Sequence, residues 1–142
     1  MADVAIVIVT HGNFGKELLK SVEMIMGEQK DVVAFGLNLG DDVETLKENV
    51  RKTVEENQSL NKTTLIMVDL LGGSPSNIAL SLLKDYDVKV LVGINMPMLI
   101  EILSSKDYFG IDVLMENGYK AGIEGIKKFD FYAIKVDNKI GE

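Results

Sequence analysis

The chain has no cysteine, no tryptophan, two prolines and one histidine among its 142 residues. Without cysteine there is no disulfide framework and no thiolate metal site, and a reducing compartment is a fitting home. The N-terminus has no basic segment followed by a small-residue cleavage site, so it does not read as a secretory signal. No apolar run approaches the ~20 residues of a membrane helix; the opening "VAIVIV" stops at six. Cationic character is also scarce. The net charge is −7 and Arg51 is the single arginine. That argues against nucleic acid and against an anionic membrane surface, both of which are bound through Lys and Arg. The expectation is a cytoplasmic protein with no metal and no cofactor.

What remains is an ordinary globular composition, 46% hydrophobic and 26% charged. At this length the whole chain, residues 1–142, reads as a single domain able to bury roughly two-thirds of its unfolded surface. No internal repeat, low-complexity tract or interdomain linker is present. Apolar runs rich in Val and Ile recur over Val4 to Val9, Val32 to Leu39, Leu65 to Val68 and Val88 to Ile94. Their lack of alternation is the pattern of parallel strands covered on both faces.

Helical spacing fills the intervals. Phe14, Leu18, Val22 and Ile25 share one face, with Gly27 placed to stop that helix. Asp41 reads as the cap of a second helix, with Glu44 three residues on and an apolar stripe of Val43, Leu46, Val50 and Val54. Ser74 and Pro75 read as cap and first residue of a third helix, and Pro97 marks the start of a fourth. "VLMENGYKAGIEGIKKF" predicts a fifth, weakened by Gly118, Gly122 and Gly125. "DFYAIKV", from Asp130 to Val136, predicts a last strand on a sheet edge or paired with another subunit. The fold class is therefore α/β, an open, doubly wound, mostly parallel sheet.

In such a sheet, ligands lie beyond the carboxyl ends of the strands, where the strand order reverses. The first strand ends at Thr10-His11-Gly12 and the third runs into "MVDLLGGSP". In a 2-1-3-4 order, His11 and Asp69 become neighbours there. A neutral imidazole offers one lone pair, and a carboxylate accepting from the other ring nitrogen sets the tautomer. Backbone N–H groups of Gly72, Gly73 and Ser74 at a helix start suit a dianion. Each part has a plainer reading: a structural histidine, a turn-capping aspartate, ordinary turn glycines. Their conjunction points to phosphoryl transfer to His11.

"IVIVTHG", "VDLLGGSPSN" and "GINMPMLIE" together resemble the IIA component of the mannose/fructose/sorbose class of the bacterial phosphoenolpyruvate-dependent sugar phosphotransferase system, over roughly residues 4 to 128. The phosphotransferase subunit of dihydroxyacetone kinase is similar. The resemblance implies that His11 takes a phosphoryl group from the carrier protein HPr and passes it to a IIB component. It implies that Asp69 holds that histidine, that the ring nitrogen farther from the backbone is phosphorylated, and that Thr10, Gly72, Gly73 and Ser74 surround the phosphoryl group. It implies a homodimer in which a C-terminal strand, within 130–142, crosses to the partner's sheet, a IIB component on a separate chain, and contact with the membrane only through a IIC/IID permease. Met24, Phe35, Met96 and Met98 form a candidate apolar docking rim, adaptable to more than one partner; their plainer reading is core. Arg51, in the predicted second helix, lies away from the site, so HPr is expected to supply positive charge.

Rival readings are weaker. "GNFGK" lacks P-loop spacing. A receiver domain needs an acidic pair where Thr10 and His11 stand. A histidine phosphatase needs an arginine before its histidine and a second histidine. A flavodoxin-like electron carrier or small-ligand module, with a structural His11, is the best alternative from another class.

Overall fold

Seven consecutive residues, Val4 to Thr10, are buried in the first strand. A strand with no exposed face must be covered on both sides, and the rest of the fold supplies that cover. The structure, a computed structural model, describes residues 3–132. In chain order it contains β1 (Asp3–His11), α1 (Phe14–Met26), β2 (Val32–Leu37), α2 (Val43–Ser59), β3 (Lys62–Val68), α3 (Ser74–Ser81), β4 (Val88–Val92), α4 (Met96–Ser105) and α5 (Ile111–Glu124). A single 3-10 turn, Leu82–Lys84, extends α3. The four strands form one sheet, ordered β2-β1-β3-β4, with all three pairings parallel.

Side-chain alternation along β1 divides the core in two. Val4, Ile6 and Ile8 pack with Val22 of α1, Leu99, Ile102 and Leu103 of α4 and Leu114 of α5. Val7 and Val9 pack on the other face with Leu46, Val50 and Val54 of α2 and Ile78 and Ala79 of α3. This is the doubly wound α/β arrangement expected from unbroken Val/Ile runs. Among the described residues, no helix is long and apolar enough to cross a membrane.

Several local details differ from expectation. β2 ends at Leu37 rather than Leu39, and Leu39 is fully exposed in the turn that follows. On α1, Phe14 and Ile25 face solvent; the buried contacts come from Gly15 and Val22, with Leu18, Leu19 and Met26 partly buried. Asp42, not Asp41, is the cap residue of α2, because the Asp41 carboxylate turns back to accept from the Asn38 N–H at 2.7 Å. Gly73, not Ser74, caps α3. At α4, Asn95 is the cap, its side-chain oxygen accepting from the Met98 N–H at 3.0 Å, with Pro97 in the first turn.

The glycines of α5 let it lie against α4. Gly118 and Gly122 are buried. A Cβ on Gly118 would sit 2.7 Å from Ile102 Cγ1, and one on Gly122 would sit 2.8 Å from Met98 Cε. The last-strand expectation over Asp130 to Val136 fails where it can be followed: Phe131 and Tyr132 have helical backbone. Residues 133–136, and so the rest of the proposed crossing strand, lie outside the described residues.

The α4–α5 contact makes a direct expectation. Gly118→Ala gains helix propensity but overpacks a buried isoleucine, so it should lose about 1–3 kcal/mol in urea titration. Adding Ile102→Val, which trims the obstructing side chain, should recover part of that loss. A stabilised single variant would show that the two helices can move apart freely.

Candidate active site

Parallel pairing of β1 with β3 sets Val9 opposite Val68. One step further β3 has ended while β1 runs on to His11, and Asp69 comes level with the Thr10–His11 peptide. There Asp69 Oδ2 accepts twice from one residue. The His11 backbone N–H donates at 3.0 Å and the His11 ring Nδ1 lies at 2.9 Å. An ionised carboxylate only accepts, so Nδ1 carries a proton, and in the neutral imidazole Nε2 is the nitrogen with the lone pair. The His11 side chain is 48% exposed whereas that of Asp69 is 13% exposed. The ring is therefore half-exposed, and the carboxylate that holds it is largely covered.

The carboxylate sits in opposing influences. Burial raises the Asp69 pKa, but hydrogen bonds from the His11 backbone and ring outweigh it, and the group lies below its ordinary value of 3.8. Its second oxygen, Oδ1, is buried with no hydrogen-bond partner among the described residues.

Two turns frame the imidazole. Gly12 has φ +53°, a left-handed conformation favouring glycine, and donates to the Leu37 carbonyl at 2.7 Å. Gly36 of β2 leaves the space that the Gly12 carbonyl occupies. On the other side Gly73 touches the ring. A Cβ there would lie 2.8 Å from His11 Nε2 and 2.7 Å from Cε1. Gly73 is also the cap of α3, so the amino end of that helix lies beside Nε2. Surface clefts nearby do not enclose the histidine. One of about 250 Å³ includes Lys16, Phe35 and Asp41, and one of about 160 Å³ runs between Val43 and Ser74; neither includes His11.

A family profile described as "PTS system fructose IIA component" matches residues 5–117. The chain belongs to this family of phosphotransferase-system IIA components. It is 37% identical over 126 residues to "PTS system mannose-specific EIIAB component" of Escherichia coli strain K12, a match covering 87% of this chain and 39% of that protein. The chain thus spans about two-fifths of the length of that relative. It is 30% identical over 115 residues to "PTS system fructose-specific EIIA component" of Bacillus subtilis, covering 80% of this chain and 78% of that one. The crystal structure of phosphotransferase system component EIIA from Streptococcus agalactiae superposes with a TM-score of 0.82 at 34% identity, covering 92% of this chain and 98% of that one.

Against this IIA fold the predicted site residues divide. His11, Asp69 and Gly73 come together. Thr10 does not join them at the surface. It is fully buried, and its hydroxyl accepts from the Gly15 N–H at 2.8 Å, tying β1 to the start of α1. The Gly72 N–H is also engaged, donating to Ser76 Oγ at 2.9 Å. Ser74 is the first residue of α3, half-buried at the α2–α3 cleft, and among the described residues no hydrogen bond joins it to His11. Ser76 was missed: it lies inside the helix-start motif, where a serine carries no positional signal. Gly36 was missed as well, although a glycine inside a strand is a known mark of close backbone approach.

The docking rim needs revision. Met98 is 5% exposed and belongs to the core, and Met96 and Phe35 are partly buried against it. Met24 is 87% exposed, but ten residues along α1 place it about 15 Å from the end of the helix that adjoins His11. Exposed apolar side chains on the segments that follow β1, β2 and β3 include Phe14, Leu39, Leu70 and Leu71. Arg51 lies within α2, as expected, and is held there by Glu48 and Glu55.

Because the folded-state pKa of Asp69 is lowered, its stabilising contribution is complete above the ordinary value and is lost as pH falls through the folded one, below 3.8. Asp69→Asn should be less stable than the parent at pH 7, and the gap should shrink steadily as pH drops below about 4. Urea midpoints at a series of pH values measure this; a constant gap would show that the carboxylate charge adds nothing.

Proposed function

We propose that the chain is a cytoplasmic phosphoryl carrier in sugar uptake, with His11 as the residue that is phosphorylated. The observation that carries this reading is the orientation of one half-exposed imidazole: Nδ1 at 2.9 Å from a largely covered carboxylate, Nε2 beside a helix start. The donor is phospho-HPr and the acceptor a IIB component, consistent with the family.

In the first half-reaction the Nε2 lone pair attacks phosphorus. The bond to the donor imidazole breaks, and its electron pair returns to that ring. The proton on Nδ1 stays in place. His11 acquires cationic character as the P–N bond forms, and Asp69 Oδ2 lies in contact to stabilise it. The second half-reaction runs the same steps in reverse toward IIB. No water takes part, so the protein has to position groups rather than activate a nucleophile. The orphan N–H groups at the α3 start stabilise the phosphoryl oxygens. An exposed nucleophile outside any enclosing cleft suits a group handed over by another protein rather than a small free substrate. Positive charge at the transition state comes from HPr, since Arg51 is committed within α2.

Phe14, Leu39, Leu70 and Leu71, exposed on the segments that follow the strand ends, form the docking surface in this reading. In this reading the carrier works as a homodimer.

Incubation with phosphoenolpyruvate, Enzyme I and HPr should add one acid-labile phosphoryl group by intact mass. His11→Ala should abolish it. Asp69→Ala should retain it at a rate lower on the order of 10²-fold. Phosphorylation that persists in His11→Ala would end the proposal. For docking, Leu71→Asp should raise KM for phospho-HPr roughly tenfold, the loss of about 1.4 kcal/mol of binding, whereas Met24→Asp should leave it unchanged. The opposite pattern would place the partner at the far end of α1.

A further inference from the structure

The loop that presses on His11 is held by a side chain that touches neither the histidine nor solvent. Ser76 is completely buried, in the first turn of α3. Its Oγ donates to the Gly73 carbonyl at 2.9 Å and accepts from the Gly72 N–H at 2.9 Å. One hydroxyl therefore ties together both glycines of the turn. Gly72 has φ +98°, which leaves the turn little conformational resistance of its own. Gly73 is the residue whose Cα faces Nε2 and Cε1 of His11. The hydroxyl also withdraws the Gly72 N–H from any ligand, leaving the amino end of α3 from Gly73 onward to meet an anion on Nε2.

We infer that Ser76 is a positioning residue for phosphoryl transfer, fixing the Gly72–Gly73 turn at the distance from Nε2 that the transferred group requires. This rests on the proposed role of His11. Without the hydroxyl, Gly72 and Gly73 remain present but lose the bond that sets their separation from the ring. The expected defect is in the chemical step, because a misplacement of about 1 Å slows a positioned reaction strongly while leaving remote docking contacts intact.

A general loss of helix stability is a different outcome, and α3 contains its own control. Ser81 Oγ donates to the Ile78 carbonyl at 2.7 Å, the same three-residue return bond on the same helix, remote from His11 in sequence and in the turn. Ser76→Ala should lower kcat for transfer from phospho-HPr roughly tenfold, with KM within twofold. Ser81→Ala should change neither. Unchanged kcat in Ser76→Ala, a change confined to KM, or equal losses in both variants would overturn the inference.

Nuclear magnetic resonance separates this from failure of the carrier reading. If the parent protein is never phosphorylated, that reading fails. The positional claim is still tested by the amide signals of Gly72 and Gly73 and the imidazole signals of His11. These should shift together in Ser76→Ala and stay in place in Ser81→Ala; unmoved imidazole signals would overturn it.

Discussion

One carboxylate oxygen accepting from both the main chain and the ring of His11 is the contact on which the site depends. The two bonds do different things. The bond to the backbone N–H locks the end of β1 to the segment leaving β3, so the two strand ends cannot slide apart. The bond to Nδ1 then orients a ring whose base is already fixed. Either alone would leave freedom, of the peptide or of the side-chain torsion. Together they hold a half-exposed ring with Nε2 beside Gly73. The carboxylate is kept ionised despite burial because the donors facing it favour the charged form.

The scaffold explains why that contact is reliable. β1 is central and buried from Val4 to Thr10, with a separate apolar cluster on each face. A strand so enclosed moves only with its neighbours, and close-packed cores resist small displacements. Thr10 extends the rigidity to the helix that follows, since its hydroxyl binds the α1 start at Gly15. The loops around the histidine are then the adjustable parts. Glycine stands where another backbone or the ring itself comes too near for a Cβ, at Gly36 in β2 and Gly73 at the start of α3. Glycine brings flexibility, and at Gly72–Gly73 the buried Ser76 hydroxyl removes it again.

Much of the fold was legible because its signals are local. Unbroken Val and Ile runs announce strands covered on both faces, and the Pro75 and Pro97 positions announce helix starts. The His11–Asp69 pairing was also legible, but only through the assumption that β1 and β3 adjoin; nothing local links residues 58 apart. Thr10 and Gly72 lie near the imidazole in sequence, yet the Thr10 hydroxyl and the Gly72 N–H are committed to the scaffold. Met98 and Met24 failed in opposite directions. One faces the core on α4, and the other is exposed at the wrong end of α1. The α5 glycines read as helix weaknesses because propensity describes an isolated helix, not one pressed against a neighbour.

The amino-acid order by itself determined the alternation of buried strands and amphipathic helices, the sheet class, and a short set of residues from which any site had to be drawn. Those are properties of periodicity, capping and turn chemistry, which act over a few residues. Tertiary structure alone decided which polar groups in that set are free. The hydroxyl of Thr10 and the amide of Gly72 could each have met a ligand or a neighbour, and register and packing distance assign both to a neighbour. The same packing brings Gly73 against His11 and largely covers Asp69, because contacts between distant segments are set by how strands pair, not by spacing along the chain.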